Sequence, residues 1–201
     1  ALLGAPPPLL FSQEMLRHTG GNPLFVEETL KSLIGSGVLR YRKGSWEPMG
    51  SSWSWPESLH DLMRRRMQSL GPAEQRILVL LSLLTRPFPA PLLMELAKDL
   101  EPAAREQALH HLVTLQLVEG SEETSGPAYQ PTYPVYGNYL QEQVPAADLA
   151  DWHRRLADLL EPQAVPHSPV IFELARLYAA GQVRDKAFRY LRLAGDEHSR
   201  F

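Results

Sequence analysis

The stretch Thr19-Gly20-Gly21-Asn22-Pro23 constrains this chain more than any other, because a backbone can be drawn through it in very few ways. Two successive glycines tolerate the positive φ that closes a helix. Asn22 is a good N-cap, and Pro23 suits the first helical position, where its missing N–H costs nothing. One helix must end before Gly20 and another must restart at Pro23. The apolar spacing agrees: Leu9 to His18 repeats as a helix, and Leu24, Phe25, Leu30, Leu33 and Ile34 mark the face of the next one. Glu27 and Glu28 place negative charge near the positive end of that second helix dipole. Taken locally, the segment is a sharp joint between two helices, a common capping arrangement that requires no function.

The same reasoning extends along the chain. Gly35-Ser36-Gly37 stops the second helix; Val38 to Arg42 and Ser45 to Glu47, joined through Lys43-Gly44, read as a short β-hairpin. A helix is predicted from about Glu57 to Leu70, with Leu59, Leu62, Met63, Met67 and Leu70 in register, and Gly71-Pro72 breaks it. Ala73 to Leu84 is nearly continuous in apolar residues and reads as a buried helix. Arg86 to Pro91 reads as a stiff connection, followed by helices at Leu92 to Leu100 and Pro102 to Leu115. A short strand at Leu117 to Glu119, a polar loop at Gly120 to Pro127 and a return through Ala128 to Gln130 complete three helices and a ribbon, the order of a winged helix. Helices are then predicted at Val135 to Val144, Ala146 to Leu160, Ser168 to Ala180 and Val183 to His198. The last two mix small and large apolar residues as stacked helical hairpins of TPR-like solenoids do. The predicted fold is mainly α, in three parts: 1–71, helices with a β-hairpin; 72–132, winged-helix-like; and 133–201, a helical linker opening into TPR-like hairpins.

Composition excludes several functions. The chain has 201 residues, 44% of them hydrophobic, and a formal charge of −3, which gives no global basic field for nucleic acid or an anionic membrane. It has no cysteine, hence no disulfide, cysteine nucleophile or thiolate metal site, and fits a reducing, cytoplasmic setting. No apolar run approaches the roughly 20 residues that span a bilayer, and Ala1-Leu2-Leu3-Gly4-Ala5 lacks the charged start of a signal peptide. With no initial Met and an end directly after a helix, the sequence is expected to be a piece of a longer polypeptide.

No catalytic or metal constellation stands out. There is no G-x-x-x-x-G-K-[ST] phosphate loop, no G-x-G-x-x-G after a strand and no G-x-S-x-G elbow. His18, His60, His110, His111, His153, His167 and His198 are scattered, without a paired-histidine helix face. For DNA binding, the third helix of the winged-helix stretch offers Arg105, Gln107, His110 and His111. Pro72 to Thr132, however, holds four basic residues (Arg76, Arg86, Lys98, Arg105) against eight acidic ones, and Glu119, Glu122 and Glu123 of the ribbon would repel phosphates. The clusters Arg40-Arg42-Lys43 and Arg64-Arg65-Arg66 read either as solvated faces and internal ion-pair partners or as a surface for a nucleotide or an acidic domain. Trp46, Trp53 and Trp55 read as apolar anchors for a long loop.

The chain also resembles a known family. Thr19 to Glu28, Gly37-Val38-Leu39, Gly44-Ser45-Trp46, Pro56 to Leu62, Arg64 to Met67, Leu70 to Leu78 and Trp152 to Ala157 look like the C-terminal half of the nucleotide-binding module of AAA+-related STAND-class regulatory ATPases. That family includes large LuxR-type activators, relatives of the maltose regulator, and modules attached to cyclases or kinases.

The resemblance implies that 1–71 is a helical lid, 72–132 a winged helix that folds back on an ATPase core rather than reading DNA, and 133–201 the approach to sensor repeats. It implies ATP or ADP as cofactor of the intact parent, with none bound by this piece alone. The implied partners are an upstream ATPase core in the same chain and a protein partner or inducer at the helical repeats. In the family a Gly-x-Pro turn lies at the nucleotide, with its Pro near the adenine; the matching residues are Gly21, Asn22 and Pro23. A family His that contacts the β-phosphate of ADP corresponds to Tyr133, which can donate a hydrogen bond but carries no charge at neutral pH and so would hold ADP less firmly. The missing phosphate loop then lies upstream in the parent, or the parent has an incomplete module; the first is preferred. No catalytic residue falls within this chain, although the parent is expected to be an ATPase. The alternatives are a DNA-binding winged helix and a nucleotide-independent interaction scaffold.

Overall fold

The computed structural model describes residues 7–42, 44–49, 55, 58–123, 126–165 and 168–198, with side chains as far as residue 195. Lys43, Trp53, Pro56, Glu57 and His167, all named above, lie outside the described residues. The fold is mainly α, and the chain divides into two compact units, 1–69 and 70–201.

Unit 1 contains α1 (Leu9–Thr19), α2 (Pro23–Gly35), the ribbon β1 (Leu39–Arg42) and β2 (Ser45–Pro48), and α3 (Leu59–Gln68). Its core is small. Phe11 and Met15 of α1, Leu30 and Leu33 of α2, and Leu39 of β1 are buried together, with Val26, Ile34, Val38, Trp46 and Trp55 packed around them. Trp55 lies 5.7 Å from the Phe11 ring and stacks at 4.7 Å on His18, the anchoring role expected of it. The ribbon is antiparallel with Tyr41 opposite Trp46 and Arg40 opposite Glu47, so strand alternation puts Leu39 and Tyr41 on one face and the two arginines on the other. Ser58 caps α3, its hydroxyl accepting the Asp61 N–H at 3.1 Å.

Unit 2 is built on α4 (Pro72–Leu81), whose residues Ile77 to Leu81 are all buried. Around it lie β3 (Phe88–Pro89), α5 (Ala90–Leu96), α6 (Pro102–Thr114), β4 (Val118–Glu123), β5 (Gly126–Pro131) and α7 (Pro134–Gln141). The three strands form an antiparallel sheet in the order β3-β5-β4. Then come α8 (Ala146–Leu160), a 3-10 turn at Glu161–Gln163, α9 (Val170–Ala180) and α10 (Arg184–His198).

Several expectations need correction. α4 ends at Leu81, three residues early, because the Ser82 hydroxyl donates to Val79 O at 2.6 Å and closes the turn; Leu83 and Leu84 stay buried outside the helix. The stiff connection contains a strand: buried Phe88 pairs with Tyr129, and Pro89 is tolerated because β3 is an edge. α5 starts at Ala90 rather than Leu92, with Pro91 in its first turn, and stops at Leu96. The ribbon is longer than the apolar pattern suggested. β4 runs to Glu123 and β5 from Gly126 to Pro131, although beyond Val118 every residue of β4 is exposed.

Candidate functional site

The joint is built as its residue types require. Gly20 closes α1 in the left-handed region (φ 60°), its N–H donating to Leu16 O at 2.9 Å, and Gly21 follows at φ 75°. Asn22 N–H donates to Thr19 O at 3.1 Å. Its side-chain oxygen accepts the Phe25 N–H at 3.3 Å, and its carbonyl accepts the Val26 N–H at 2.9 Å. Buried Thr19 braces the turn from beneath, its hydroxyl donating to Met15 O at 2.8 Å and accepting from Gly21 N–H at 3.4 Å. Gly21, Asn22 and Pro23 are all exposed.

The exposed Pro23 ring offers a purine an apolar edge to rest on. The Asn22 oxygen is already engaged, and Thr19 to Phe25 contains no Lys or Arg to meet phosphates. The joint therefore offers an apolar edge and no cationic side chain for a phosphate. Behind it, Pro23, Val26 and Leu30 share one stripe of α2, and the last two line an apolar groove of 280 Å³ with Phe11, Met15 and Leu16 of α1.

The joint's helix is held by an internal ion pair of the kind expected for the Arg64-Arg65-Arg66 cluster, with a partner the sequence did not single out. Glu28, expected as a helix-dipole partner, is only 3% exposed and forms an ion pair with Arg66 of α3, with Lys31 Nζ 3.6 Å away on its own helix. Arg66 is thus committed inside unit 1. Arg64 pairs with Asp61 at 2.8 Å, while Arg65 is exposed.

Tyr133 belongs to unit 2 and is the N-cap residue of α7, with an extended backbone (φ −133°, ψ 122°). It is half-buried, and its ring meets the fully buried Tyr136 edge-on at 6.0 Å.

The cations of unit 2 are largely spent on the protein itself. Arg105 of α6 donates to Met94 O, and Arg155 of α8 to Leu96 O at 3.0 Å, capping the C-terminal carbonyls of α5. Arg76 lies 3.7 Å over the Trp152 ring and reaches Asp99 at 2.7 Å. His111 is hydrogen-bonded to Glu74. Burial alone would raise the Glu74 carboxyl; the His111 bond and the Gly71 N–H outweigh it and hold Glu74 below the usual carboxylate range. Gln107 and His110 remain exposed on α6, beside Glu106. Among the described residues no group of three or more His, Asp or Glu is placed to hold a metal ion, and no helix is long and apolar enough to cross a membrane.

No protein-family profile and no curated protein matches the chain. Among solved structures it is similar to the crystal structure of a Signal Transduction ATPase with Numerous Domains (STAND) protein with a tetratricopeptide repeat sensor from Pyrococcus horikoshii, at a TM-score of 0.53 and 16% identity. The likeness covers 93% of this chain and 24% of that one, so this chain spans about a quarter of the neighbour's length. At this identity the fold is what the two share.

Proposed function

We propose that this chain is the regulatory part of a STAND-type signal-transduction ATPase of the transcription-regulator kind, gating a nucleotide site completed by an upstream core and relaying a signal from helical repeats that follow it. The observation that carries this reading is the fold likeness to a STAND protein along 93% of the chain. Unit 1 acts as the helical lid. The order α4, β3, α5, α6, β4, β5, with β5 central in the sheet, supports assigning 72–132 as a winged helix. α9 and α10 begin the sensor repeats, and Pro23 stands at the adenine with Tyr133 in the latch position. ADP closes the core on the winged helix; ATP and an inducer favour the open state through contacts made in that state alone.

A DNA-reading role is disfavoured by the use of the arginines: Arg105, the one cation of α6 apart from its histidines, is turned onto Met94 O, and β4 presents Glu119, Glu122 and Glu123 to solvent. The scaffold reading draws on the exposed Leu9, Leu10 and Leu16 of α1.

Fluorescent ADP titrated into the parent polypeptide tests the proposal. Pro23→Ala is expected to weaken binding about tenfold, equivalent to about 1.4 kcal/mol, and Tyr133→His to strengthen it. A parent that binds no nucleotide would overturn the ATPase reading, whereas unchanged affinity in both variants would overturn these two residue roles.

A further inference from the structure

We infer that the α8–α9 seam around His153 is an acid-sensitive contact, which holds the α9–α10 hairpin in unit 2 more firmly at neutral pH than in mildly acidic solution. The inference is independent of the nucleotide reading.

His153 lies on α8 and is 7% exposed. Its Nδ1 is 2.8 Å from Leu149 O, and because a carbonyl only accepts, the neutral ring carries its proton on Nδ1. An added proton must go to Nε2 of a buried ring. The charge that reaches the ring from α9 is Arg176, itself donating to Leu83 O, and it has the wrong sign to stabilise an imidazolium. The carboxylates on the elements packed against α8 are already engaged: Glu173 of α9 with Arg86 at 3.0 Å, Glu161 of the 3-10 turn with Lys186 at 2.7 Å, and Glu95 of α5 with Lys98 at 2.7 Å. On α8 itself, Asp151 pairs with Arg154, Asp158 with Lys186, and Asp148 acts on Arg76 of α4, which packs over Trp152.

The seam itself is tightly packed. At the next residue a side chain on Gly181 would place its Cβ 2.9 Å from Arg154 N and 3.1 Å from Arg154 Cα, so the two backbones nearly touch. A buried imidazolium to which no carboxylate is paired among the described residues is relieved by opening the seam.

Burial pushes the His153 imidazole below the usual histidine value; the Leu149 bond opposes that shift and Arg176 adds to it. The sign follows. The opened chain takes up the proton first, so the stabilisation is complete above about pH 6.5 and is lost as pH falls through the folded value.

Hydrogen exchange on the full 201-residue chain between pH 7.5 and 5.5, corrected for intrinsic exchange, tests the contact. Protection in α9 and α10 should fall by up to about tenfold per pH unit, while α4 keeps its own. His153→Gln, neutral throughout, should flatten the profile. An equal fall in the folded variant would overturn the proposal. So would a ring titration of wild-type His153 by NMR with a midpoint at or above about 6.5, a measurement that needs no variant to fold.

Discussion

The two units solve the same problem, covering apolar helix faces, with different resources. Unit 1 has a compact core and one deeply buried ion pair, and it leaves large apolar side chains outside: Leu10 is 77% exposed, with Leu9 and Leu16 close behind. Unit 2 buries a long run of α4 completely and ties its elements together with side chains donated to distant carbonyls: Arg105 to Met94, Arg155 to Leu96 and Arg176 to Leu83. It adds a polar cluster in which Lys186 Nζ meets Glu161, the Tyr178 hydroxyl and Asp158, while Tyr190 donates to the far oxygen of Glu161. Hydrogen bonds from Lys186 chiefly, with Tyr178 and Tyr190 behind it, hold the Glu161 carboxyl below its usual range against the opposing effect of burial. The contrast lies in the use of cations rather than in the apolar surface: unit 2 turns Arg105, Arg155 and Arg176 onto its own carbonyls, whereas unit 1 keeps an exposed joint, and each unit leaves large apolar side chains uncovered, Leu9, Leu10 and Leu16 in one and Phe188 and Leu191 in the other.

The comparison breaks most sharply at the buried pair of unit 1. Arg66→Ala strands the Glu28 carboxylate, with Lys31 at 3.6 Å as its one remaining cation among the described residues, and should cost unit 1 about 3 kcal/mol. Replacing both partners, Glu28→Met with Arg66→Met, should recover most of it, since the penalty comes from the unpaired charge. Segment-resolved hydrogen exchange distinguishes the two outcomes. If Arg66→Ala leaves the protection of α2 and α3 unchanged, unit 1 does not depend on this pair.

The matching weak point of unit 2 is steric. A Cβ on Gly137 of α7 would sit 2.2 Å from Ser82 Cβ and 2.5 Å from its hydroxyl, which Gln141 Nε2 also reaches at 2.8 Å. Gly137→Ala should therefore destabilise unit 2 by about 2 kcal/mol, measured by denaturant unfolding. Adding Ser82→Gly should relieve part of the loss. Full stability in the single variant would show that α4 and α7 can slide apart, contrary to a tightly interlocked unit.

What could be read from the sequence depended on how far apart the cooperating residues are. The joint, the ribbon and α8 at Ala146–Leu160 were legible because capping residues and apolar spacing act within a few positions. β3 was not, since its strand character comes from Phe88 pairing with Tyr129 rather than from the proline-rich run that contains it. The solvated ends of β4 and β5 gave no alternation to detect, because Glu119 to Glu123 face water along their length. Arg66 could be read as an internal ion-pair partner, but nothing in the sequence matched it to Glu28, 38 residues away, which looked like a helix-dipole residue. At the candidate site, the cap made by Asn22 was visible in the sequence. The engagement of Arg105 was not, because a main-chain acceptor such as Met94 O is present at every position and leaves no trace in residue type.

The smallest effect concerns the joint itself and separates its local chemistry from anything it does for a ligand. Asn22→Ala removes the oxygen that accepts the Phe25 N–H at 3.3 Å and should cost unit 1 about 1 kcal/mol, whereas Asn22→Gly, whose exposed N–H neighbours remain open to water, should cost a few tenths. Both are smaller than the Arg66 effect because Asn22 lies in solvent, where water substitutes for the lost cap; Glu28 has no such substitute. Thermal unfolding of the pair, compared with nucleotide affinity in the parent, reads the two contributions separately. A loss of affinity that tracks the alanine-to-glycine stability order means that Asn22 acts only by shaping the turn that presents Pro23. An equal loss in both variants means that its amide meets the ligand directly, because only a contact, and not a cap, is indifferent to that order.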